Sequence, residues 1–167
     1  SAGQKVQFGD DEVAVHLATP EAFKGVDFVF FAATGSLSKE LAPEAVKRGA
    51  VVIDKSGTWR LDENVPLVVP EVNGAALAAH KGIIACPNCT TIGFVMALEP
   101  LRRAAGLRQV VVTTMQAVSG AGRPGIDELE AQIAALDRGD DAIAKTFAAQ
   151  IAHNGDALLL RQHPIEN

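Results

Sequence analysis

The sequence is short of several things, and each shortage removes a class of protein. It has two cysteines, Cys86 and Cys89, too few for a disulfide scaffold. It has no apolar run near the roughly 18 residues of a membrane span; Val26 to Ala33 is apolar apart from Asp27 but only strand-sized. It has no clustered Lys and Arg, and its net charge is -5, so nucleic acid is excluded as a partner, because phosphate neutralisation needs concentrated positive charge. A small anion needs only one or two local cations and stays possible. The N-terminus shows no basic segment followed by an apolar one, so no secretory signal is expected, and the expected setting is a reducing cytoplasm. There is no internal repeat and no low-complexity tract.

What is present is globular: 48% hydrophobic against 21% charged, over 167 residues, which suits one ordinary domain or two incomplete ones. The apolar run Val26–Ala33 predicts a buried parallel strand that ends at Thr34-Gly35-Ser36. Ser38 is the expected cap of a helix to about Arg48, with Leu41, Ala45 and Val46 on one face and Gly49 as its stop. Ala50–Asp54 predicts a second strand, which completes a βαβ unit and implies an α/β sheet. Leu67–Pro70 and Gly82–Ala85 are shorter strand candidates. A helix is expected from Thr90 or Thr91 to about Ala105, kinked or divided at Pro100 and ended by Gly106. Its apolar positions are Ile92, Val95, Met96, Leu98 and Leu101. Val110–Val118 reads as a long strand, followed by a glycine-bearing turn at Ser119–Gly122. A last helix runs from about Pro124 to Leu136, with Asp127, Glu128 and Glu130 on its charged face. A boundary is placed near Cys89, giving segments 1–88 and 89–167.

Cys89 carries the clearest chemistry. It follows a short strand and immediately precedes a helix, where free backbone N–H groups and the helix dipole favour an anion. A thiolate there is suited to covalent catalysis, and the same N–H groups could hold an oxyanion. The competing explanation is a buried structural cysteine. Cys86 and Cys89 also spell Cys-x-x-Cys, the spacing of dithiol exchangers and of half a zinc site. No second cysteine pair exists, and His80, His153 and His163 show no matching spacing, so no metal is assigned.

Cys86-Pro87-Asn88-Cys89-Thr90-Thr91 resembles the catalytic motif of the aspartate-semialdehyde dehydrogenase family. The segments Val65–Asn73, Gln116–Gly122, Phe31–Glu40 and Val51–Leu61 are also similar to that family, and the resemblance covers about residues 1 to 154. It implies a partial Rossmann-like NADP-binding domain over 1–88, followed by the start of an α+β catalytic and dimerisation domain over 89–167. It implies phosphorylating oxidation of L-aspartate 4-semialdehyde to L-4-aspartyl phosphate with NADP, run in reverse in lysine, threonine and methionine biosynthesis. Cys89 would form a thiohemiacetal and then an acyl-thioester that inorganic phosphate cleaves.

By the same resemblance Asn88 orients the thiol or substrate, Gln116 contacts substrate and Arg60 binds the transferred phosphate. A guanidinium offers that anion a planar fork. Without the resemblance Arg60 reads as a solvated loop cation and Gln116 as a polar strand end. Thr34, Gly35, Ser36, Ser119 and Gly120 are the implied cofactor contacts, with Ser1 matched to the loop that receives the 2′-phosphate. The family is oligomeric, so a homodimer or tetramer is implied. The family's Gly-x-x-Gly-x-x-Gly loop is not found here, and residues 155–167 do not continue its pattern. The chain therefore reads as an internal piece without the family's later arginine and acid-base histidine; His163 has no motif around it. The alternatives are a related N-acetyl-glutamyl-phosphate reductase, a catalytically silent piece of the family, and a Cys86/Cys89 redox module.

Overall fold

The computed structural model describes residues 2–139, which fall into two compact units that divide between Val112 and Thr113. The first unit opens with an antiparallel hairpin, β1 (Lys5–Phe8) and β2 (Asp11–Ala14), with Phe8 opposite Asp11. Gly9, at φ 61°, occupies the first position of the two-residue turn, the place where a positive φ suits glycine. This hairpin is absent from the sequence-based expectations, although alternating Val6 and Phe8 followed by Gly9-Asp10 is a recognisable hairpin signal.

The centre of this unit is a parallel sheet in the order β3–β4–β5, formed by Phe28–Phe31, Val51–Asp54 and Ile83–Ala85. Aromatic and β-branched residues fill these strands because they pack well on a pleated surface. Helix α1 (Gly35–Lys47) crosses between β3 and β4, so the βαβ unit forms as the sequence predicts. Alternation along the strands sorts their faces. Phe31 and Val52 join Phe23, Leu41, Ala42, Ala45 and Ala50 in one buried cluster, with Val46 and Trp59 packed against it. Phe28 and Phe30 point to the other face and are largely exposed. The result is an α/β fold of Rossmann-like type.

Several local expectations need correction. Ser38 does not cap α1; Thr34 occupies the cap position, and Ser38 lies fully buried in the second turn, where Asp54 binds its hydroxyl. Leu67–Pro70 is not a strand. It makes a single parallel bridge, Leu67 with Ala85, and then Pro70 opens the short helix α2 (Pro70–Asn73), because proline suits a first helical position. Helix α3 (Cys89–Ala105) starts one residue earlier than expected and runs unbroken through Pro100. A proline removes one donor, yet packing of the surrounding turns can keep a helix continuous. Gly106 ends it at φ 71°. No helix among the described residues is long and apolar enough to cross a membrane.

The largest departure is Val110–Val118. It forms no strand: residues 109–117 have no regular structure, and Val111 and Met115 are 87% and 94% exposed. The pattern suits a strand, but strand formation needs a hydrogen-bonding neighbour, and among the described residues none pairs with it. Val118–Ala121 closes into a single 3-10 turn, and α4 (Arg123–Asp137) follows as expected.

Candidate functional site

In a parallel sheet every strand ends on the same edge, and ligands of α/β proteins gather there. Here the carboxyl ends of β3, β4 and β5 lead directly into Thr34-Gly35-Ser36, Lys55–Arg60 and Cys86–Cys89. Backbone bonds continue just past the strands: Lys55 N–H donates to Phe31 O at 2.9 Å and Cys86 N–H to Asp54 O at 2.8 Å. The topology thus brings three of the sequence-predicted segments to one sheet edge.

Cys89 is the first residue of α3, and its side chain is exposed. Asn88 is the helix cap. Its Oδ1 accepts from Thr90 N–H at 2.9 Å and from the Thr90 hydroxyl, and the Cys89 thiol lies 3.9 Å from the same oxygen. Asn88 thus caps α3 at the residue immediately before the thiol. The cap takes up Thr90 N–H, one of the first N–H groups of α3. Cys86 differs. It is partly buried, and loss of solvent pushes its thiol up, with Asp54 adding to this and Lys55 and Arg60 opposing it. Both cysteines are free.

Arg60 sits on the loop after β4. Its Nε donates to Cys86 O at 2.8 Å and an Nη to Lys55 O at 3.2 Å. Two carbonyls hold the guanidinium, and no ion pair among the described residues involves it. Gly57, at φ 92°, lets the guanidinium lie close over the backbone: a Cβ there would stand 3.3 Å from Arg60 Nη1. Arg60 is therefore no solvated loop cation; it is tied to the segment that carries Cys89.

Thr34 and Ser36 bring their hydroxyls to 3.0 Å from each other, at the cap and in the first turn of a thirteen-residue helix whose first turn has neither an acidic residue nor a side-chain cap. Gly35 is tightly packed, since a Cβ on it would fall 2.8 Å from Thr58 Oγ1. These hydroxyls and helix amides fit the phosphate or ribose oxygens of a nucleotide cofactor.

In the second unit Gln116 folds over the 3-10 turn that holds Ser119 and Gly120. A Cβ on Gly120 would meet Gln116 Nε2 at 2.2 Å, so the amide lies directly over the glycine and a larger residue would displace it. Ser1, His153, His163 and Gln150–Asn154 lie outside the described residues. His80 is occupied as a turn acceptor, taking Gly82 N–H at Nδ1 over 3.1 Å.

Sequence reasoning missed the polar group beneath this edge. Asp54 is fully buried and accepts from Ser38 Oγ, from Ser56 N–H at 3.0 Å and from Ser56 Oγ at 2.8 Å. Trp59 Nε1 donates to Ser38 Oγ at 2.9 Å, and Thr58 Oγ1 to Gly35 O at 3.0 Å. The run Asp54-Lys55-Ser56-Gly57-Thr58 has turn-forming composition, which was a usable signal. Nothing in the sequence marks Ser38 as its partner.

Comparison with known proteins carries the family likeness past residue 154, the limit expected from the sequence, to residue 164. A family model described as Semialdehyde dehydrogenase, NAD binding domain, matches residues 1–80, and one described as Semialdehyde dehydrogenase, dimerisation domain, matches residues 98–164. Aspartate-semialdehyde dehydrogenase of Bacillus subtilis (strain 168) is 58% identical over 136 residues, covering 81% of this chain and 39% of the relative. The enzyme of the same name from Aquifex aeolicus (strain VF5) is 48% identical, covering 92% of this chain and 46% of the relative. The chain thus spans less than half the length of these relatives. Among solved structures, aspartate semialdehyde dehydrogenase II of Vibrio cholerae, complexed with ASA, has a TM-score of 0.72 at 43% identity, covering 83% of this chain and 42% of that one.

Proposed function

Because the chain belongs to the semialdehyde dehydrogenase family, we propose that it works as the NADP-dependent, phosphorylating dehydrogenase of L-aspartate 4-semialdehyde, with Cys89 as nucleophile. The observation that carries this is the exposed Cys89 at the start of α3, with Arg60 bonded to the carbonyl of Cys86 on the same segment. The names of the relatives support aspartate semialdehyde, rather than an N-acetyl-glutamyl substrate, as the aldehyde.

Cys89 Sγ attacks the aldehyde carbon, forming a C–S bond and placing charge on the carbonyl oxygen. The N–H groups at the start of α3 that the Asn88 cap does not occupy would stabilise that charge, and Asn88 fixes the helix start at the residue before the thiol. A nicotinamide held beside Thr34, Gly35 and Ser36 would supply the hydride acceptor that oxidation at the thioester level requires, while Cys89 keeps the carbon bound through sulfur. Arg60 holds inorganic phosphate with N–H groups that its two carbonyl partners leave open. A phosphate oxygen attacks the thioester carbonyl, the C–S bond breaks and Cys89 returns as thiolate. Gln116 adds an uncharged donor and acceptor for the substrate.

Thr34, Gly35 and Ser36 would hold the cofactor, with Ser119, Gly120 and Ser1 as further contacts. Residues 1–88 form the cofactor segment and 89–167 the catalytic and dimerising segment, and the second family match supports assembly into a homodimer or tetramer. The test is NADPH formation from the semialdehyde with and without phosphate, in the wild type and in Cys89→Ala. The expected result is loss of signal in the variant. Turnover retained in Cys89→Ala would remove the nucleophile assignment. A chain that fails to bind NADP at micromolar concentration is a silent member of the family.

A further inference from the structure

We propose that Ser38, Asp54 and Trp59 are positioning residues for Arg60, a role that rests on the phosphate-binding assignment of that arginine. A guanidinium is a rigid planar fork on a long, flexible stem. It binds phosphate well only if the fork is held in one orientation before the anion arrives. The structure shows how that orientation is held. Residues 58 and 59, immediately before Arg60, are each pinned to α1: Thr58 Oγ1 to Gly35 O, and Trp59 Nε1 to Ser38 Oγ. Ser38 is in turn fixed by Asp54, which also grips Ser56 through two separate donors. The loop is thus bonded at residues 54, 56, 58 and 59, and its last side chain is delivered to the carbonyls of Cys86 and Lys55.

The composition of this cluster argues against a purely structural role. A carboxylate with no exposed surface is costly to bury, and an apolar residue at the end of β4 would serve the core as well or better. Asp54 instead bonds to Ser38 of α1 and to Ser56 of the loop that bears Arg60. The cluster also ties the Thr34–Ser36 turn to the arginine through Thr58, so two candidate ligand contacts share one scaffold.

The readout is the Arg60 Nε–H proton, which donates to Cys86 O and can be followed by nuclear magnetic resonance. Its exchange with solvent is compared in the wild type, Ser38→Ala and Trp59→Phe, beside the backbone amides of β4 and α1. The expected result is exchange faster by about tenfold at Arg60 Nε in both variants, the size that loss of one ordinary hydrogen bond allows, with the β4 and α1 amides unchanged. Should Ser38→Ala fail to fold, Trp59→Phe carries the test, since it leaves Ser38 and Asp54 bonded. Unchanged Arg60 exchange overturns the proposal, and so does equal acceleration across β4 and α1, which marks a general structural role. Calorimetric titration with inorganic phosphate separates the underlying assignment: Arg60→Ala binding as tightly as wild type would overturn the phosphate role while leaving the positioning result to the exchange data.

Discussion

The β3–β4–β5 sheet and the Val110–Val118 stretch have the same kind of sequence and opposite fates. Both are rich in β-branched and apolar residues. In the sheet, Val52 is fully buried between two hydrogen-bonded neighbours. In the stretch, Val111 and Met115 stand almost wholly in solvent and no strand lies alongside among the described residues. A β pattern states that side chains would fit a pleated, half-buried surface; it does not supply the neighbour that makes the surface.

The strongest way to break this comparison is a pair of truncations. Val52→Ala is expected to cost about 2 kcal/mol in denaturant unfolding, because it leaves a cavity beside a packed cluster. Val111→Ala is expected to stay within about 0.5 kcal/mol, as for an exposed side chain. Comparable costs at both positions would show that the stretch is packed in solution. Next in size is the cap that separates sheet from helix. Asn88→Ala is expected to lose about 1 kcal/mol and Asn88→Asp much less, read from thermal melts, since only the first removes the acceptor for Thr90 N–H.

A pH series sharpens the comparison at the far end of α3, next to the unpaired stretch. Hydrogen bonds from Arg102 and Arg103 hold the Glu99 carboxyl down at about 2, against an ordinary 4.5. A lowered pKa means that the folded state holds its proton less firmly than the unfolded state. The contribution is therefore complete above about 4.5 and fades as pH falls toward 2. Unfolding measured across that window should fall with acid in wild type and fall less in Glu99→Gln. Matching slopes would count against the triad. The smallest effect is chemical. At mildly alkaline pH, alkylation followed by peptide mass mapping is expected to label the exposed Cys89 first, because burial pushes the Cys86 thiol up and covers it. Equal labelling rates would show that the two thiols share one environment.

Much of the site was legible in the sequence, and the reasons are local. Cys89 at a helix start and Asn88 before it are matters of near neighbours along the chain. The hairpin Lys5–Ala14 was equally legible and was passed over, since its turn carries its own signal. Ser38 was misassigned because serine is a good cap, and only burial against Asp54 reveals that it faces inward. Without the family resemblance Arg60 reads as a solvated cation for the same reason: its partner Cys86 is distant in sequence and close only once β4 and β5 pair.

By itself, then, the sequence determined the βαβ unit and, to within a residue or two, the start of the helix at Cys89, because apolar periodicity, caps and turn residues act over a few neighbouring residues. Tertiary structure alone decided three things: that Thr34, Arg60 and Cys89 share one sheet edge, that Asp54 is buried among hydroxyls under the arginine loop, and that Val110–Val118 forms no strand among the described residues. Each depends on which segments meet across long separations, and that is set by strand pairing and core packing rather than by any residue's own preference.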